Sequence, residues 1–236
     1  MCDFNEIIGN GASDNDNDGI YIGDLCDNNT ISSNIASNND DTGISLEGGG
    51  IFSSYNNTFS KNTVYNNEYG IWFQFSCHFN KISGNSILGN NFGILLEDPG
   101  CSNNSIYENT FLENAMHVFD DGVDNKWNSA TIGNYWDNHT GPDANNDGIV
   151  DNPYTYIGGT AGSIDYLPIA EDLTPGGSDP GVIATIVVVS IGGGLILIGI
   201  AYMYLKKREI WLNNLGNLFL LFFFCVRPFG WDQDIP

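Results

Sequence analysis

A Gly-Ile dipeptide recurs at nearly equal intervals along the first half of the chain. The repeats are Gly19-Ile20, Gly43-Ile44, Gly70-Ile71 and Gly93-Ile94, with His117-Val118 in the next equivalent place. The intervals are 24, 27, 23 and 24 residues. Three series of asparagines keep the same interval: Asn5, Asn29, Asn57, Asn80, Asn104 and Asn125; Asn10, Asn34, Asn62, Asn85 and Asn109; and Asn39, Asn67, Asn90 and Asn114. Such a repeat is typical of a solenoid of stacked coils.

Short apolar alternations such as Ile71-x-Phe73 and Ile94-x-Leu96 lie between the asparagines. Alternation of this kind indicates half-buried strands, and the runs are too short for amphipathic helices. Three strands and three corners would make one coil, and coils stack at roughly 4.8 Å. The sequence therefore predicts an all-β parallel β-helix with coils of about 24 residues. A β-sandwich does not predict such equal intervals.

Equivalent residues of successive coils are expected to stack on one another. Two inward columns are predicted: Ile7, Ile31, Phe59, Ile82, Ile106 and Trp127; and Ala36, Val64, Ile87 and Phe111. Asparagine suits the corners because it tolerates a left-handed backbone and because stacked amides can hydrogen-bond. Residues 2–10 (CDFNEIIGN) match residues 77–85 (CHFNKISGN), so the pattern starts within a coil. Residues 1–138 are predicted to form an N-terminally incomplete β-helix.

The segment that follows these coils carries the most specific motifs. They are Ile132–Asp137 (IGNYWD), Asp143–Tyr154 (DANNDGIVDNPY) and Asp165–Pro168 (DYLP). With the coils, they resemble the parallel β-helix repeat superfamily, whose fold is shared with pectin lyases, and most closely the NosD-like surface proteins. The resemblance covers about residues 2–170 and implies a right-handed parallel β-helix at the cell surface, closed by residues 139–172. It does not imply copper.

The C-terminal third differs in composition from the coils. A Pro/Gly linker over residues 173–181 precedes Val182–Leu205, which has 24 residues and no charge. A bilayer core needs about 20 such residues. Lys206, Lys207 and Arg208 follow at once, so we predict one transmembrane helix over 182–205, with the β-helix outside and the C-terminus in the cytoplasm. Residues 206–236 hold this basic cluster and a hydrophobic tail of uncertain status.

The charge is strongly negative and uneven. The formal net charge is −22, and 26 of the 29 acidic residues lie before residue 182, with only Lys61, Lys81 and Lys126 to offset them. Such a surface repels phosphate backbones, which excludes nucleic acid as a partner. Divalent cations and neutral polymers such as glycans are more natural ligands.

One loop has the pattern of a calcium ligand set. Asp143, Asn145, Asp147 and Asp151 alternate around Gly148, and such spacing lets a tight loop present oxygens to Ca²⁺. Position 12 of the loop is Tyr154, so this is not an EF-hand. The alternative is an Asp/Asn/Gly turn that holds no ion.

Copper ligands have a different signature, which the chain lacks. His78, His117 and His139 share no ligand spacing, so no copper site is predicted.

The residues that follow the inward Ile positions should point outward. Tyr21, Trp72 and Phe119 are therefore candidate ligand-binding residues on one outer face, where Ser45 and Leu95 occupy the equivalent positions. Two positions after Ser45, Leu95 and Phe119 come Glu47, Glu97 and Asp121 on the same face. The sequence favours a structural or binding module for cell-surface glycans.

The competing hypothesis is a carbohydrate-active enzyme that uses those three carboxylates as a glycoside hydrolase, lyase or epimerase. Adjacent coils would set Glu97 and Asp121 roughly 5 Å apart, and two coils would separate Glu47 and Glu97 by roughly 10 Å. Glycosidase pairs lie about 5 to 9.5 Å apart. This face offers no basic residue to abstract the proton in a lyase reaction.

Four cysteines share one place in the coil, three residues before an asparagine. They are Cys2, Cys26, Cys77 and Cys101. Stacking at about 4.8 Å is within the range of disulfides. Bridges Cys2–Cys26 and Cys77–Cys101 or a reduced ladder of small side chains both fit this pattern.

Overall fold

The computed structural model describes residues 2–49, 52–170, 182–191 and 194–203. The chain divides into two compact units, residues 1–178 and 179–236. The first unit is a parallel β-helix of about five coils, in which each coil contributes one strand to each of three sheets. The predicted all-β parallel solenoid is thereby confirmed.

The three sheets run along the solenoid. The first sheet contains β1 (Glu6–Ile8), β4 (Thr30–Ser32), β8 (Thr58–Ser60), β12 (Lys81–Ser83) and β15 (Ser105–Tyr107). The second contains β2 (Gly11–Ser13), β5 (Ile35–Ser37), β9 (Thr63–Tyr65), β13 (Ser86–Leu88), β16 (Thr110–Leu112) and β18 (Tyr135–Trp136). The third contains β3 (Ile20–Ile22), β6 (Thr42–Gly48), β10 (Tyr69–Phe75), β14 (Phe92–Leu96) and β17 (Met116–Asp120). A small fourth sheet pairs β7 (Ser54–Tyr55) with β11 (Cys77–His78).

The second unit is described by two strands only. β19 (Val182–Ile191) pairs antiparallel with β20 (Gly194–Met203). The predicted membrane helix over 182–205 stays a prediction, because residues 192–193 and 204–205 lie outside the described residues and the rest are described only as these strands. The linker over 173–181 and the tail over 206–236 also lie outside the described residues. No helix in the described part of the chain has the length and apolar character needed to cross a membrane.

The core follows the predicted columns. Ile31 pairs with Phe59, Phe59 with Ile82 and Ile82 with Ile106, and all four are fully buried. In the second sheet Ala36, Val64, Ile87 and Phe111 are equally buried and in register. The third sheet adds a column that begins at Ile20 and ends at Val118. Strict register is expected because a one-residue slip would expose every core side chain.

The asparagines form three continuous ladders of hydrogen bonds at the corners. Asn80 is typical: its Oδ1 accepts from the backbone N (2.8 Å) and Nδ2 (3.1 Å) of Asn57. Its own Nδ2 donates to Asn104 Oδ1 (3.1 Å) and to the carbonyl of Ser54 (3.3 Å). Each amide thus satisfies backbone groups that the corner would otherwise bury without partners. The structure also adds Asn15 and Asn134 to the predicted series.

The backbone reason given for asparagine at the corners is wrong. The left-handed residue is the one before the ladder asparagine at every ladder position except Asn134, as at Asn28 (φ 58°), Ser33 (φ 56°) and Glu108 (φ 59°). Side chains as different as serine and glutamate occupy that position. The amide is required at the ladder position for its hydrogen bonds and not for a left-handed conformation.

All three ladders end on an ionisable side chain. Their donors run toward the C-terminal end, so the last amide of each ladder needs an acceptor. Asn125 Nδ2 donates to Asp120 Oδ1 (2.9 Å), Asn134 N to Asp165 Oδ2 (2.7 Å), and Asn114 Nδ2 lies 3.3 Å from His117 Nδ1. Asp120 and Asp165 are fully buried. Aligned hydrogen bonds polarise one another, which favours a carboxylate at the donor end.

The IGNYWD motif closes the core beneath these ladders. A Cβ on Gly133 would lie 1.9 Å from Asp165 Oδ1, so only glycine leaves space for that carboxylate. Trp136 stacks between Phe111 (4.4 Å between ring centroids) and Tyr154 (4.0 Å), and its Nε1 donates to Asp165 Oδ2 (3.0 Å). The aromatic stack covers the last coil, and Asp165 fastens the closing segment to it.

Candidate functional site

The outer face of the third sheet carries the predicted binding residues in one column. Tyr21, Ser45, Trp72, Leu95 and Phe119 are in register on successive strands. Tyr21 is 56 % exposed, Trp72 and Phe119 are half-buried, and Ser45 is buried. The structure therefore brings the three predicted aromatic residues to one face, although Ser45 separates Tyr21 from Trp72.

A second outer column was missed by sequence reasoning. Thr42, Tyr69, Phe92 and Met116 are in register beside the first column. The Tyr69 ring lies 4.6 Å from the Trp72 ring and 5.4 Å from the Phe92 ring, between centroids. These residues directly precede the glycine or histidine of each repeat, which is the signal that would have identified them. Together Tyr69, Trp72 and Phe92 form a platform, here called the aromatic platform.

The three carboxylates of the enzyme hypothesis have separate partners. Glu47 accepts a hydrogen bond from the Tyr21 hydroxyl and pairs in register with Gln74. Asp121 accepts from the backbone N (2.7 Å) and Oγ1 (2.9 Å) of Thr160 in the closing segment. Burial raises the pKa of Glu97, and the nearby Trp72 indole opposes that rise.

Further acidic residues border the aromatic platform. Asp18 accepts from Ser45 Oγ (2.5 Å) and from the backbone N of Thr42 (3.3 Å). Burial raises the pKa of Asp41, and the neighbouring Asp18 and Glu68 raise it further. A groove of about 530 Å³ is lined by Asn17, Asp18, Tyr21, Asp41, Trp72 and Gln74, here called the acidic groove.

The pKa of the Tyr21 phenol is also raised by this acidic environment. Its hydrogen bond to Glu47, then burial and the nearby carboxylates, raise its pKa to about 12. The pKa of Tyr69 is also raised, by burial first and then by Glu68, Asp41 and Glu97. Both phenols therefore stay protonated at neutral pH and remain hydrogen-bond donors.

Two buried polar atoms on this face lack a normal hydrogen bond. They are Thr42 Oγ1 and Trp72 Nε1. Thr42 is fully buried, while the indole N–H lies near enough to Glu97 to lower the pKa of that carboxyl without normal hydrogen-bond geometry. Such unpaired buried groups cost free energy.

A larger cavity of about 770 Å³ lies where the closing segment meets the last coils, and its lining includes Tyr107, Lys126 and Tyr166. Several of its polar groups are already engaged in the fold. Ser163 Oγ donates to Asp120 Oδ2 (2.6 Å), and Asn128 Oδ1 accepts from the backbone N of Tyr166 (3.2 Å). This cavity is accordingly part of the contact between the closing segment and the last coils.

The predicted calcium loop is closed by its own hydrogen bonds. Asp143 accepts from the backbone N of Asp147 (3.1 Å) and of Gly148 (2.9 Å), and Asp151 accepts from that of Ala144 (3.2 Å). Asn145 contacts Asp147 through its amide (2.9 Å). Within residues 2–49 and 52–170, no group of three or more His, Cys, Asp or Glu side chains is placed to hold a metal ion. This arrangement gives the calcium prediction no support.

The histidines are likewise dispersed. His78 lies between Ser53 (2.8 Å) and Ser102 (3.3 Å), and His139 contacts the carbonyl of Asn152 (2.9 Å). His117 is buried, and its Nε2 lies 2.9 Å from Asp137 Oδ1. Its imidazole ends the third ladder and packs against Phe111 and Trp136.

The four aligned cysteines are free thiols in the structure. Cys77 and Cys101 are fully buried, and their thiols contact backbone carbonyls, as in Cys101 Sγ to Phe75 O at 2.9 Å. The neighbouring Cys101 thiol and burial raise the pKa of Cys77. The structure thus contains the reduced ladder and not the bridges.

Comparison with known proteins identifies the family of this solenoid. The model of a family described as periplasmic copper-binding protein (NosD) matches residues 1–141. The chain belongs to the NosD family. That family is described as periplasmic, which agrees with a β-helix outside the cytoplasm. No curated protein and no solved structure matched the chain.

The described residues of this NosD-family chain do not fit the copper in the family's description. A copper site needs several imidazole or thiol ligands around one point. Here the three imidazoles are engaged separately, and the thiols of Cys77 and Cys101 are buried against carbonyls.

Proposed function

We propose that this chain is a membrane-attached, extracytoplasmic binding module that holds a glycan along the outer face of the third sheet. The aromatic platform is the observation that carries the proposal. Aromatic faces pack against the C–H surfaces of sugar rings, and flanking carboxylates and amides accept or donate hydrogen bonds to hydroxyls. The family's periplasmic description supports a place where glycans are accessible. Attachment through residues 182–205 rests on their length, their lack of charge and the Lys206–Arg208 cluster.

Binding to a panel of acidic, neutral and amino-sugar oligosaccharides tests the proposal, with the full chain in detergent. Trp72→Ala should weaken binding by at least about tenfold, because aromatic contacts dominate such sites. Phe79→Ala is the matched control, since Phe79 is 61 % exposed and lies outside the third sheet. Binding to none of the panel, or equal losses in both variants, would contradict the proposal.

The enzyme hypothesis has no comparable support. Asp121 accepts hydrogen bonds from Thr160, and Glu47 accepts one from Tyr21, so the two carboxylates have different partners in the fold. Release of reducing ends or unsaturated products from acidic or neutral glycans would establish catalysis. Loss of that activity in Glu97→Gln would then assign it to this face.

A further inference from the structure

The charges around the acidic groove are unbalanced. The groove is bordered by Asp18 and Asp41, and Glu47 and Glu68 lie beside it. In residues 2–170, the basic side chains of lysine occur at three places only: Lys81 in β12, Lys126 paired with Ser105 of the same sheet, and Lys61 directly after β8. All three belong to the first sheet or its corner. The two outer columns of the third sheet therefore have carboxylates beside them and no lysine.

The titration of the groups on this face agrees with that imbalance. Burial raises the pKa values of Asp41 and Tyr69, and nearby carboxylates raise them further; the hydrogen bond to Glu47, then burial and nearby carboxylates, raise that of Tyr21. The part of each rise that is due to carboxylates agrees with the absence of a lysine from the outer columns of the third sheet. A bound cation would lower the free energy of these groups in their ionised form.

The aromatic platform lies beside the same groove. Trp72 lines the groove and contacts Tyr69 ring to ring. An ammonium group over an aromatic face is attracted by the ring, and its three N–H donors form charge-assisted hydrogen bonds with carboxylates. Aromatic rings and carboxylates together favour a basic ligand and repel an acidic one.

We infer that the outer face of the third sheet selects saccharides that carry protonated amino groups over N-acetylated, neutral and acidic saccharides. Ammonium groups occupy the acidic groove, and the sugar rings pack on Tyr69, Trp72 and Phe92. This inference rests on the proposed function, because it names the ligand class of the same face.

Four probes of defined chemistry test it by calorimetry, with the full chain in detergent at a pH that keeps the amines protonated. They are a glucosamine hexasaccharide, its fully N-acetylated counterpart, a galacturonate hexasaccharide and spermidine. The glucosamine oligomer should bind at least about tenfold more tightly than the N-acetylated one. That preference should shrink as salt is raised, because exposed charges are screened beyond about 10 Å at 0.1 M ionic strength.

A matched pair of variants locates the charge effect. Asp41→Asn removes a carboxylate that lines the groove, while Asp40→Asn makes the same change at the neighbouring exposed residue outside it. Asp41→Asn should lower both the affinity for the glucosamine oligomer and its preference over the N-acetylated oligomer, the preference by about threefold or more. Asp40→Asn should change neither.

The outcomes separate the inference from the proposed function. Equal affinity for the glucosamine and N-acetylated oligomers, or a preference for galacturonate, would overturn the inference and leave glycan binding standing. Spermidine binding as tight as the glucosamine oligomer and insensitive to Trp72→Ala would overturn it as well, since charge alone would then explain the binding. Absence of binding to all three oligosaccharides would overturn the proposed function itself.

Discussion

The asparagine ladders inside the solenoid and the outer face of the third sheet are both rich in polar groups. The two regions differ in whether those groups have hydrogen-bond partners within the protein. Inside, each ladder amide from Asn29 to Asn109 both accepts and donates hydrogen bonds. The terminal carboxylate of Asp165 accepts from Asn134, Trp136 and Leu167. Outside, Asp41 faces other carboxylates, and Trp72 Nε1 has no normal partner.

Buried carboxylates have different roles in these two regions. Burial raises the pKa of both Asp165 and Asp41. Around Asp165 four N–H donors, from Asn134, Trp136 and Leu167, oppose that rise, whereas around Asp41 the like charges of Asp18 and Glu68 add to it. The inner groups therefore hold the fold together, and the outer groups leave interaction energy available to a ligand.

Removing the carboxylate of Asp165 should have the largest effect. Asp165→Ala leaves the buried N–H groups of Asn134 and Trp136 and the half-buried N–H of Leu167 without this acceptor. At about 1–3 kcal/mol for each orphaned donor, the free energy of unfolding should fall by about 4 kcal/mol or more. Denaturant unfolding monitored by tryptophan fluorescence measures it. Asp40→Ala, which removes an exposed carboxylate, is the control, and a similar loss there would refute the special role of Asp165.

A break in the middle of a ladder should have the next largest effect. Asn85→Ala removes the acceptor of Asn62 N (2.9 Å) and Asn62 Nδ2 (3.0 Å) and the donor to Phe59 O (3.0 Å). Only the backbone N of Asn62 loses every partner, so we expect a loss of about 3 kcal/mol. Asn91→Ala, at the exposed next corner position, should cost less than about 0.5 kcal/mol. If the two variants unfold at the same denaturant concentration, the ladders are not the main polar support of the fold.

The sequence predicted the interior well because each coil repeats it. Ile31, Phe59, Ile82 and Ile106 repeat one environment at one interval, so periodicity alone gives their burial. The ladder ends could not be predicted this way. Asp165 meets Asn134 across 31 residues of a closing segment that has no repeat, and Asp120 and His117 occupy strand positions where earlier coils carry other residue types.

The outer face was predicted only in part, for a related reason. Alternation identified Tyr21, Trp72 and Phe119, but the column of Tyr69 and Phe92 lies beyond a glycine at which the alternation is interrupted. Gly70 faces the interior like Ile71, since a Cβ there would contact Ile87. Tyr69 therefore lies on the outer side, where a strict alternation from Ile71 would have placed an inward residue.

Asp143 tests whether partners or burial decide the role of a carboxylate. It lies in a largely exposed loop, yet it accepts hydrogen bonds from Asp147 N and Gly148 N as the inner carboxylates do. Asp143→Ala should therefore lower the free energy of unfolding by about 1 kcal/mol. Thermal melts with added calcium and with chelator should show the same loss. A loss seen only with calcium would instead establish the loop as an ion site, because bound ligand stabilises the folded state.

Replacing Asp41 should give the smallest change in the free energy of unfolding, and this change should be a stabilisation. Its pKa is raised in the folded protein by burial and by Asp18 and Glu68. The stability that it contributes is thus fully present below the unfolded value of about 3.9 and is lost as pH rises through the higher folded value. Asp41→Asn removes this loss, so at pH 7 it should stabilise the protein by about 0.3 kcal/mol, a small gain because the group is partly exposed and screened by solvent. At pH 3 the two proteins should melt together, because the carboxyl is protonated in both states.

Calorimetric melts at the two pH values, with Asp40→Asn as the control, measure the difference. A stabilisation of equal size in Asp40→Asn would assign the effect to net charge, and a destabilisation by Asp41→Asn at pH 7 would show that the outer carboxylates support the fold as the inner ones do.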